Sequence, residues 1–391
     1  MEQDFSRLDA YLDERGLDGF LLDADGTNSN QQYLSGFDAP DPFLTLYVPE
    51  QIAILTSPLE YARAESDSHA ETVRRWGDYE YRAKKDEQGR DVARGLVIGE
   101  FLDEFGVSSV ATERRFPVFT ADSIREHGKT VTPDLEDVIE EIRATKTETE
   151  RAHIQDAQRA NEAAMTAAER MLADAVVGSD GTLRYEDDVL TSERIKATIE
   201  RTLLDEGYAM DETIVASGPD GAIPHERGSG PISADEPVIV DIFPRSKETN
   251  YHADMTRTFL HGDPDPQIRE FYDLTQEAKR AGMETVQAGV TGEEVHDAVC
   301  AVYEDAGYPT LRSDESTETG FIHSTGHGVG LDVHEHPRIG PDGGTLEPGH
   351  VITIEPGLYD PSIGGVRIED LIIVTEAGSE NLTNYPETLV V

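Results

Sequence analysis

Residues 321–337 read F-I-H-S-T-G-H-G-V-G-L-D-V-H-E-H-P, and three of their four histidines, His323, His327 and His334, are spaced four and seven residues apart. Gly326, Gly328 and Gly330 surround the middle one. Glycine lets backbone approach a ligand closely, and imidazole is the commonest side-chain metal ligand. A glycine-rich loop with exposed histidines is the other reading of this segment taken alone. Its surroundings favour the first. Asp241, Asp254, Glu355 and Glu369 each interrupt an apolar, strand-like run. A carboxylate in such a run is expensive to bury unless it is paired or holds a metal. Four carboxylates and one imidazole carry too much negative charge for a single ion, whereas two divalent cations balance it. Such a pair can bind a water, lower its pKa towards neutrality and polarise a carbonyl. Hard oxygen donors with one nitrogen suit Mn²⁺, with Co²⁺ or Zn²⁺ as alternatives.

The elements that must position these residues repeat. Asp241 lies in the run V-I-V-D-I-F at 238–243, which turns through 244–251 and returns as A-D-M-T-R-T-F with Asp254. Glu355 lies in V-I-T-I-E-P at 351–356, which turns through 360–365 and returns as V-R-I-E-D-L-I-I-V with Glu369. The carboxylates are 13 and 14 residues apart in the two hairpins. Two helices precede each hairpin. A capping box, Thr147 with Glu150, opens the first, which carries Ile154, Ala157, Ala160, Ala164, Ala168, Met171 and Ala175 at helical spacing. The second is predicted over 188–206. The third spans 266–287, and the fourth opens on a second capping box, Thr291 with Glu294, and runs to Gly307. Helix, helix, hairpin thus occurs twice, as expected of two similar halves facing each other.

Residues 1–145 read as a separate α/β unit and 146–391 as the unit that carries the candidate site. In the first, the patterns predict helices at 5–14 and 92–105 and strands at 19–22, 43–48, 52–55 and 107–111. Residues 28–37 read as a loop that could face a ligand. No catalytic cluster stands out in this half.

The chain is 391 residues long with a formal net charge of −46, and seven of its 33 basic residues are lysine. The acids are spread along the sequence. At molar salt the Debye length falls to about 3 Å, so the self-repulsion of such a surface is screened. A salt-filled halophilic cytoplasm explains the composition best; a cation-buffering protein is the alternative. The charge argues against nucleic acid and anionic membranes as partners. Cys300 is the only cysteine, so no intrachain disulfide can form. Its place on an apolar helix face makes it a buried thiol rather than a nucleophile. The first residues, M-E-Q-D-F-S-R, lack the apolar core of a signal peptide, and no run has the length of a membrane span. A cytoplasmic protein is expected.

Asp241, Asp254, His327, Glu355 and Glu369, in this order and within I-V-D-I-F, A-D-M-T-R-T, H-S-T-G-H-G-V-G-L-D-V-H-E-H-P, I-T-I-E-P-G and G-V-R-I-E-D, resemble the dinuclear site of the pita-bread metallopeptidases. That superfamily includes methionine aminopeptidase, aminopeptidase P and prolidase. The likeness covers 147–391; the first 145 residues resemble, less specifically, the N-terminal domain of prolidases and creatinases. It implies that Asp241 holds one metal, that Asp254 and Glu369 bridge two, and that His327 and Glu355 complete the second. Glu355 would also take a proton from the attacking water. His334 would contact the substrate or its tetrahedral intermediate, and His323 and His225, the latter in A-I-P-H-E-R, match two further active-site histidines of the proline-specific branch. Arg367 matches an arginine just before the last glutamate. His252 and His336 match nothing and read as surface residues. The first hairpin's turn is two residues longer than usual, Phe243 replaces a common glycine, and I-S-A-D-E-P replaces the usual Gly-Asp. These departures touch the pocket rather than the metal set.

The resemblance implies a homodimeric exopeptidase that hydrolyses Xaa-Pro bonds, as an Xaa-Pro dipeptidase or aminopeptidase acting on proline-containing di- or oligopeptides. A metal-binding lyase on the same fold is an alternative, and a catalytically inactive peptide-binding homologue is another. The complete ligand set speaks against the second.

Overall fold

Six short apolar strands build the sheet of the first unit. The computed structural model describes residues 4–210 and 212–391, and the division into two units falls between Arg143 and Ala144. In the first unit, β1 (Gly19–Ala24), β2 (Phe43–Val48), β3 (Gln51–Thr56), β4 (Thr72–Arg75), β5 (Ser109–Thr112) and β6 (Thr130–Pro133) lie in the order β4-β3-β2-β1-β5-β6. The β1–β2–β3 run is antiparallel, and the flanking pairs are parallel. Helix α1 (Ser6–Arg15) stops at Gly16, whose φ of 62° gives the left-handed cap that glycine adopts without strain.

The segment at 28–37, expected as a loop, is instead a short helix, α2 (Ser29–Ser35). Its polar residues hid it, because they face inward. The Asn28 side chain accepts from the Gln31 amide, and the fully buried Gln31 donates to the carbonyls of Ala24 and Phe43 at 3.2 and 2.9 Å. The core of this unit packs Leu21, Leu44, Leu46 and Leu55 against Val97, Ile98, Phe101 and Leu102 of α3 (Arg90–Glu104).

In the second unit, the Thr147 capping box opens α4 (Glu148–Ala173), with the Thr147 amide donating to Glu150 at 2.7 Å and the Glu150 amide to Thr147 at 3.3 Å. Helix α5 (Ser192–Asp205) begins four residues later than predicted. Asp188 and Val189 pair instead with residues 184–185 in a small sheet, and the Thr191 side chain caps the helix by accepting from the Arg194 amide. Ala164, Ala168, Ile195, Ile199 and Leu203 from these two helices are buried against Val215, Val238, Val240 and Met255. Each large side chain among them contributes about 1.5–3 kcal/mol on burial. The sheet beneath holds β7 (Ile214–Ser217), β8 (Val238–Ile242) and β9 (Met255–Phe259), all antiparallel, with β8 central.

The pattern then recurs. α6 (Pro266–Thr285) starts on an Asp265 cap followed by proline, and α7 (Gly292–Asp305) starts on the second capping box. They precede β8's counterpart in a five-stranded sheet, where β10 (Gly326–Gly328), β11 (Glu335–Ile339), β12 (Val351–Ile354), β15 (Asp370–Thr375) and β16 (Gly378–Asn381) lie in the order β11-β10-β12-β15-β16. A separate two-stranded ribbon, β13 (Gly357–Asp360) and β14 (Gly364–Arg367), sits between β12 and β15 in sequence.

The second hairpin is therefore not the continuous one that the sequence pattern predicts. It breaks at 355–356 and 368–369, so β12 pairs with β15 while β13 pairs with β14 in another sheet. Pro356 has no amide hydrogen to continue the ladder. The amides on either side of the break bond elsewhere: Glu355 donates to the Thr325 carbonyl at 2.8 Å and Glu369 to the Thr256 carbonyl at 3.1 Å. The second of these bonds docks one hairpin onto the other. Of the four carboxylates placed in strands by the sequence reading, only Asp241 lies inside one; Asp254, Glu355 and Glu369 sit one residue beyond a strand end.

Candidate metal centre

The breaks bring the carboxylates to one place. Ligand-capable atoms of Asp254, His327 and Glu369 all lie within 4.8 Å of one another. His327 Nε2 is 3.7 Å from Asp254 Oδ2 and 3.5 Å from Glu355 Oε1. Each residue is fixed from its own backbone outward. Asp241 is in the central strand β8, whose end is held where Asn161 of α4 donates to the Ile242 carbonyl at 2.6 Å. His327 stands on β10, its amide donating to the Thr353 hydroxyl at 3.1 Å. The glycines on either side of His327 have a packing reason. A Cβ on Gly326 would lie 2.0 Å from the Thr353 carbonyl oxygen, and one on Gly328 would lie 2.1 Å from that of His336.

Glu369 is held from behind by a buried charged network. Arg257, 1% exposed, donates to the Glu369 carbonyl at 2.6 Å and to the Asp370 carboxylate at 2.8 Å, and Lys279 pairs with the same Asp370. In front, the Thr256 hydroxyl donates to Glu369 Oε2 at 2.8 Å. Asp241 Oδ2 accepts from Arg367 Nη2 at 2.7 Å.

The cluster is electrostatically incomplete. Asp241 Oδ1, Asp254 Oδ1 and Glu369 Oε1 are buried with no hydrogen-bond partner among the described residues. Burial, then the charge of Asp241, pushes Glu369 up to about 8. Burial, then Glu369, raises Asp254 and Glu355 well above the ordinary carboxylate range. Like charges in a dry site resist ionisation together. Burial holds His327 down to about 3, which keeps the imidazole neutral, the form that binds a metal. Carboxylates of Asp254 and Glu369 with unpartnered oxygens, grouped with a neutral imidazole, fit a divalent cation.

The other histidines form a rim. The His334 ring is exposed and stands edge-on to His327, with centroids 4.2 Å apart. His323 bonds the Ser324 carbonyl through Nδ1 at 2.7 Å and the Tyr359 hydroxyl through Nε2 at 2.9 Å. Since a carbonyl only accepts, Nδ1 is assigned the proton and Tyr359 donates to Nε2. Burial, then Arg367, lowers His323 to about 3, in keeping with that neutral form. Tyr359 in turn accepts from Arg367 Nη1 at 2.9 Å. A chain of contacts therefore runs from Asp241 through Arg367 and Tyr359 to His323.

His225 is exposed and lies on the segment after a short turn at Asp220–Ala222. No direct contact with the carboxylates is found for it among the described residues. Its neighbour Pro224 offers its carbonyl to Arg367 at 3.4 Å, and Gly221 packs so closely on β14 that a Cβ on Gly365 would lie 1.8 Å from the Gly221 carbonyl oxygen.

Sequence reasoning missed Tyr359, which reads as an ordinary apolar strand residue; its position four residues after Glu355 was the available signal. His252, read as a surface residue, is half-buried. Its amide donates to the Gly330 carbonyl at 2.8 Å, its Nδ1 is enclosed, and burial lowers its pKa to about 4. His336 is also half-buried rather than exposed. Cys300 is fully buried, as expected, and burial pushes its thiol up to about 11.

The signature of metallopeptidase family M24 matches residues 152–376, and that of the creatinase/prolidase N-terminal domain matches residues 5–145. The chain is 30% identical over 403 residues to an Xaa-Pro dipeptidase of Pyrococcus furiosus, covering 100% of both chains. Among solved structures it is similar to an Xaa-Pro dipeptidase from Bacillus anthracis, with a TM-score of 0.81, 27% identity and 99% of each chain covered. It is also similar to an X-Pro aminopeptidase from Thermotoga maritima, with a TM-score of 0.78, 26% identity and 99% of each chain covered. The pita-bread architecture expected from the motifs, with its creatinase-like N-terminal domain, is borne out. The chain belongs to metallopeptidase family M24.

Proposed function

We propose that the protein is a dinuclear-metal-dependent exopeptidase that hydrolyses the Xaa-Pro peptide bond. The observation that carries the reading is the group of Asp254, His327 and Glu369, whose ligand-capable atoms lie within 4.8 Å of one another and whose carboxylates each keep a buried, unpartnered oxygen. The relatives' names, Xaa-Pro dipeptidase and X-Pro aminopeptidase, supply the substrate class. Asp241, Asp254, His327, Glu355 and Glu369 would hold the two cations, with Mn²⁺ favoured by the hard oxygen donors. When bound, the cations supply an acidified water and polarise the scissile carbonyl.

The chain's own residues do the rest. Glu355, beside His327 at 3.5 Å, takes a proton from the attacking water and returns it to the departing proline nitrogen. His334 and His225, exposed at the rim, contact the peptide. His323 has both nitrogens engaged by Ser324 and Tyr359, so it shapes the pocket through its ring. Arg367 fixes Asp241 and Tyr359 together. The intact donor set disfavours an inactive homologue.

A homodimer in a salt-rich cytoplasm completes the proposal, supported by the family resemblance and by the net charge of −46. Among the described residues no helix is long and apolar enough to cross a membrane.

A panel of di- and tripeptides, with and without proline in second position, assayed with Mn²⁺ at molar salt, tests the activity. Cleavage of Xaa-Pro dipeptides alone defines a dipeptidase, and cleavage of longer peptides only defines an aminopeptidase. No turnover by the Mn²⁺-loaded protein would refute both. Glu355→Gln should lower kcat by about 10²–10⁴-fold, and unchanged turnover would remove Glu355 from the proposed role.

The cluster also predicts a pH dependence. In the metal-free protein Glu369 keeps its proton up to about pH 8, whereas the unfolded chain loses it from the ordinary 4.5 upward. The folded state then binds more protons across that window, so its stability falls as pH rises from about 4.5 to 8, by up to about 1.4 kcal/mol per pH unit. A divalent cation takes the proton's place. Mn²⁺ should therefore raise the melting temperature of metal-stripped protein more at pH 8 than at pH 5.5; an equal rise at both would contradict the coupled cluster.

With metal saturated, raising KCl from 0.1 to 2 M should lift the melting temperature by about 10 °C, given about 2–4 °C per kcal/mol for a unit of this size. A flat or falling midpoint would count against the halophilic reading.

A further inference from the structure

Lys146 is almost completely buried, and among the described residues it forms one ion pair, with a carboxylate 189 positions later in the chain. Its Nζ donates to Glu335 Oε1 at 2.6 Å, with side-chain exposures of 1% and 2%. Glu335 directly follows His334, yet the two side chains have opposite fates: His334 is exposed and Glu335 is enclosed.

The Glu335 carboxylate fills the turn that presents His334. Its Oε2 accepts from the Asp332 amide at 3.3 Å. Its Oε1 lies against Gly330, where a Cβ would come within 2.3 Å of it. The Gly330 amide closes the turn on the Asp332 carbonyl at 3.0 Å, and the Gly330 carbonyl accepts from His252, two residues before Asp254. The lysine end is equally fixed, because the Lys146 amide donates to the Gly349 carbonyl at 3.0 Å and Thr145 bridges to His350. The Lys146–Glu335 pair therefore ties the turn at 330–335 to residues 145–146, and this turn carries the ring that stands 4.2 Å from His327.

We propose that Lys146 is a positioning residue for His334: by neutralising Glu335 inside the turn, it sets where the rim imidazole meets the substrate. This rests on the Xaa-Pro peptidase reading for the substrate, but the placement of His334 stands apart from it. A neutral side chain at 146 removes the lysine charge from this buried carboxylate, and the turn must then shift to hydrate it. Displacing a substrate-contacting group by about 1 Å can cost about 10²-fold in rate.

The test compares wild type, Lys146→Met, Lys146→Arg, His334→Ala and Lys146→Met/His334→Ala. Turnover of an Xaa-Pro dipeptide is read in Mn²⁺-loaded protein at molar salt, and metal content and melting temperature are read alongside. Lys146→Met should lower kcat/KM by about 10–100-fold with the metal content kept, and Lys146→Arg should recover part of the loss. In the His334→Ala background the same Met substitution should change kcat/KM by less than about threefold, since residues acting as a unit are not additive. Full multiplication of the two effects, or an unchanged kcat/KM for Lys146→Met, overturns the proposal.

A second readout does not depend on turnover. In Zn²⁺-loaded, histidine-labelled protein the His334 imidazole resonance, identified by its loss in His334→Ala, should shift in Lys146→Met while the His225 resonance stays in place. An unmoved His334 resonance overturns the proposal even if wild type proves inactive, and that inactivity would sink only the peptidase reading. If Lys146→Met does not fold, Lys146→Met/Glu335→Gln removes both charges and keeps an acceptor for the Asp332 amide. That pair should fold and keep the His334 resonance near its wild-type position, because no buried charge is left for the turn to hydrate, and a displaced resonance there overturns the proposal.

Discussion

Several carboxylates forced into one dry site repel one another, and this repulsion organises the second unit. Asp254, Glu355 and Glu369 are each driven towards the protonated form by burial and by their neighbours. A protein that merely needed a stable core would place apolar residues there, since a buried carboxylate is costly unless paired. Here only Asp241 has a full counter-charge, Arg367. The remaining oxygens point at a common space. The backbone has been arranged to keep them there against that repulsion: the amides of Glu355 and Glu369 leave their own ladder and bond to Thr325 and Thr256. Glu355 and Glu369 thus stand on peptide groups locked by a distant segment of the chain.

The cationic residues of this acidic chain show the same priority. Of seven lysines, Lys146 and Lys279 are buried in ion pairs, at 3% and 4% exposure. Arg257 and Arg367 are buried at 1% and 3%. These side chains surround the cluster from behind, through Asp370 and the Glu369 carbonyl, and from the side, through Asp241. They lower the local cost of negative charge without occupying the space between the carboxylates. Surface ion pairs contribute little in comparison, typically about 0–1 kcal/mol.

How much of this was legible depended on whether the cause is local. The donor set was visible because a charged residue in an apolar run is a local anomaly, and the matched hairpins gave it a second dimension. Helices opened by Thr147 and Thr291 were visible because a capping box spans four residues. The break of the second hairpin was only half visible. Pro356 can be read off, but the bonds that draw the amides of Glu355 and Glu369 away come from strands distant in sequence. Helix α2 was missed because its polar side chains serve buried carbonyls, so its pattern shows no apolar face. Tyr359 looked like core, and it is core; only its hydroxyl takes part in the site. The Lys146–Glu335 pair, joining residues 189 apart, had no local signal.

The two sides of the site are consequently built to different standards. On the proposed cation side, each of Asp241, Asp254, His327, Glu355 and Glu369 sits in or one residue from a strand, and a misplacement would require a sheet to move. On the side proposed to meet substrate, His225 and His334 are exposed, and each adjoins an anchored neighbour: Pro224 with its carbonyl on Arg367, and Glu335 with its carboxylate on Lys146. A packed sheet has few alternative arrangements, whereas a turn anchored by one or two contacts can be re-aimed by changing an anchor. The architecture therefore separates a chemistry that tolerates little variation from a pocket that can be reshaped without disturbing it. In the proposed function, Lys146, paired with Glu335 beside His334, is where the two are joined.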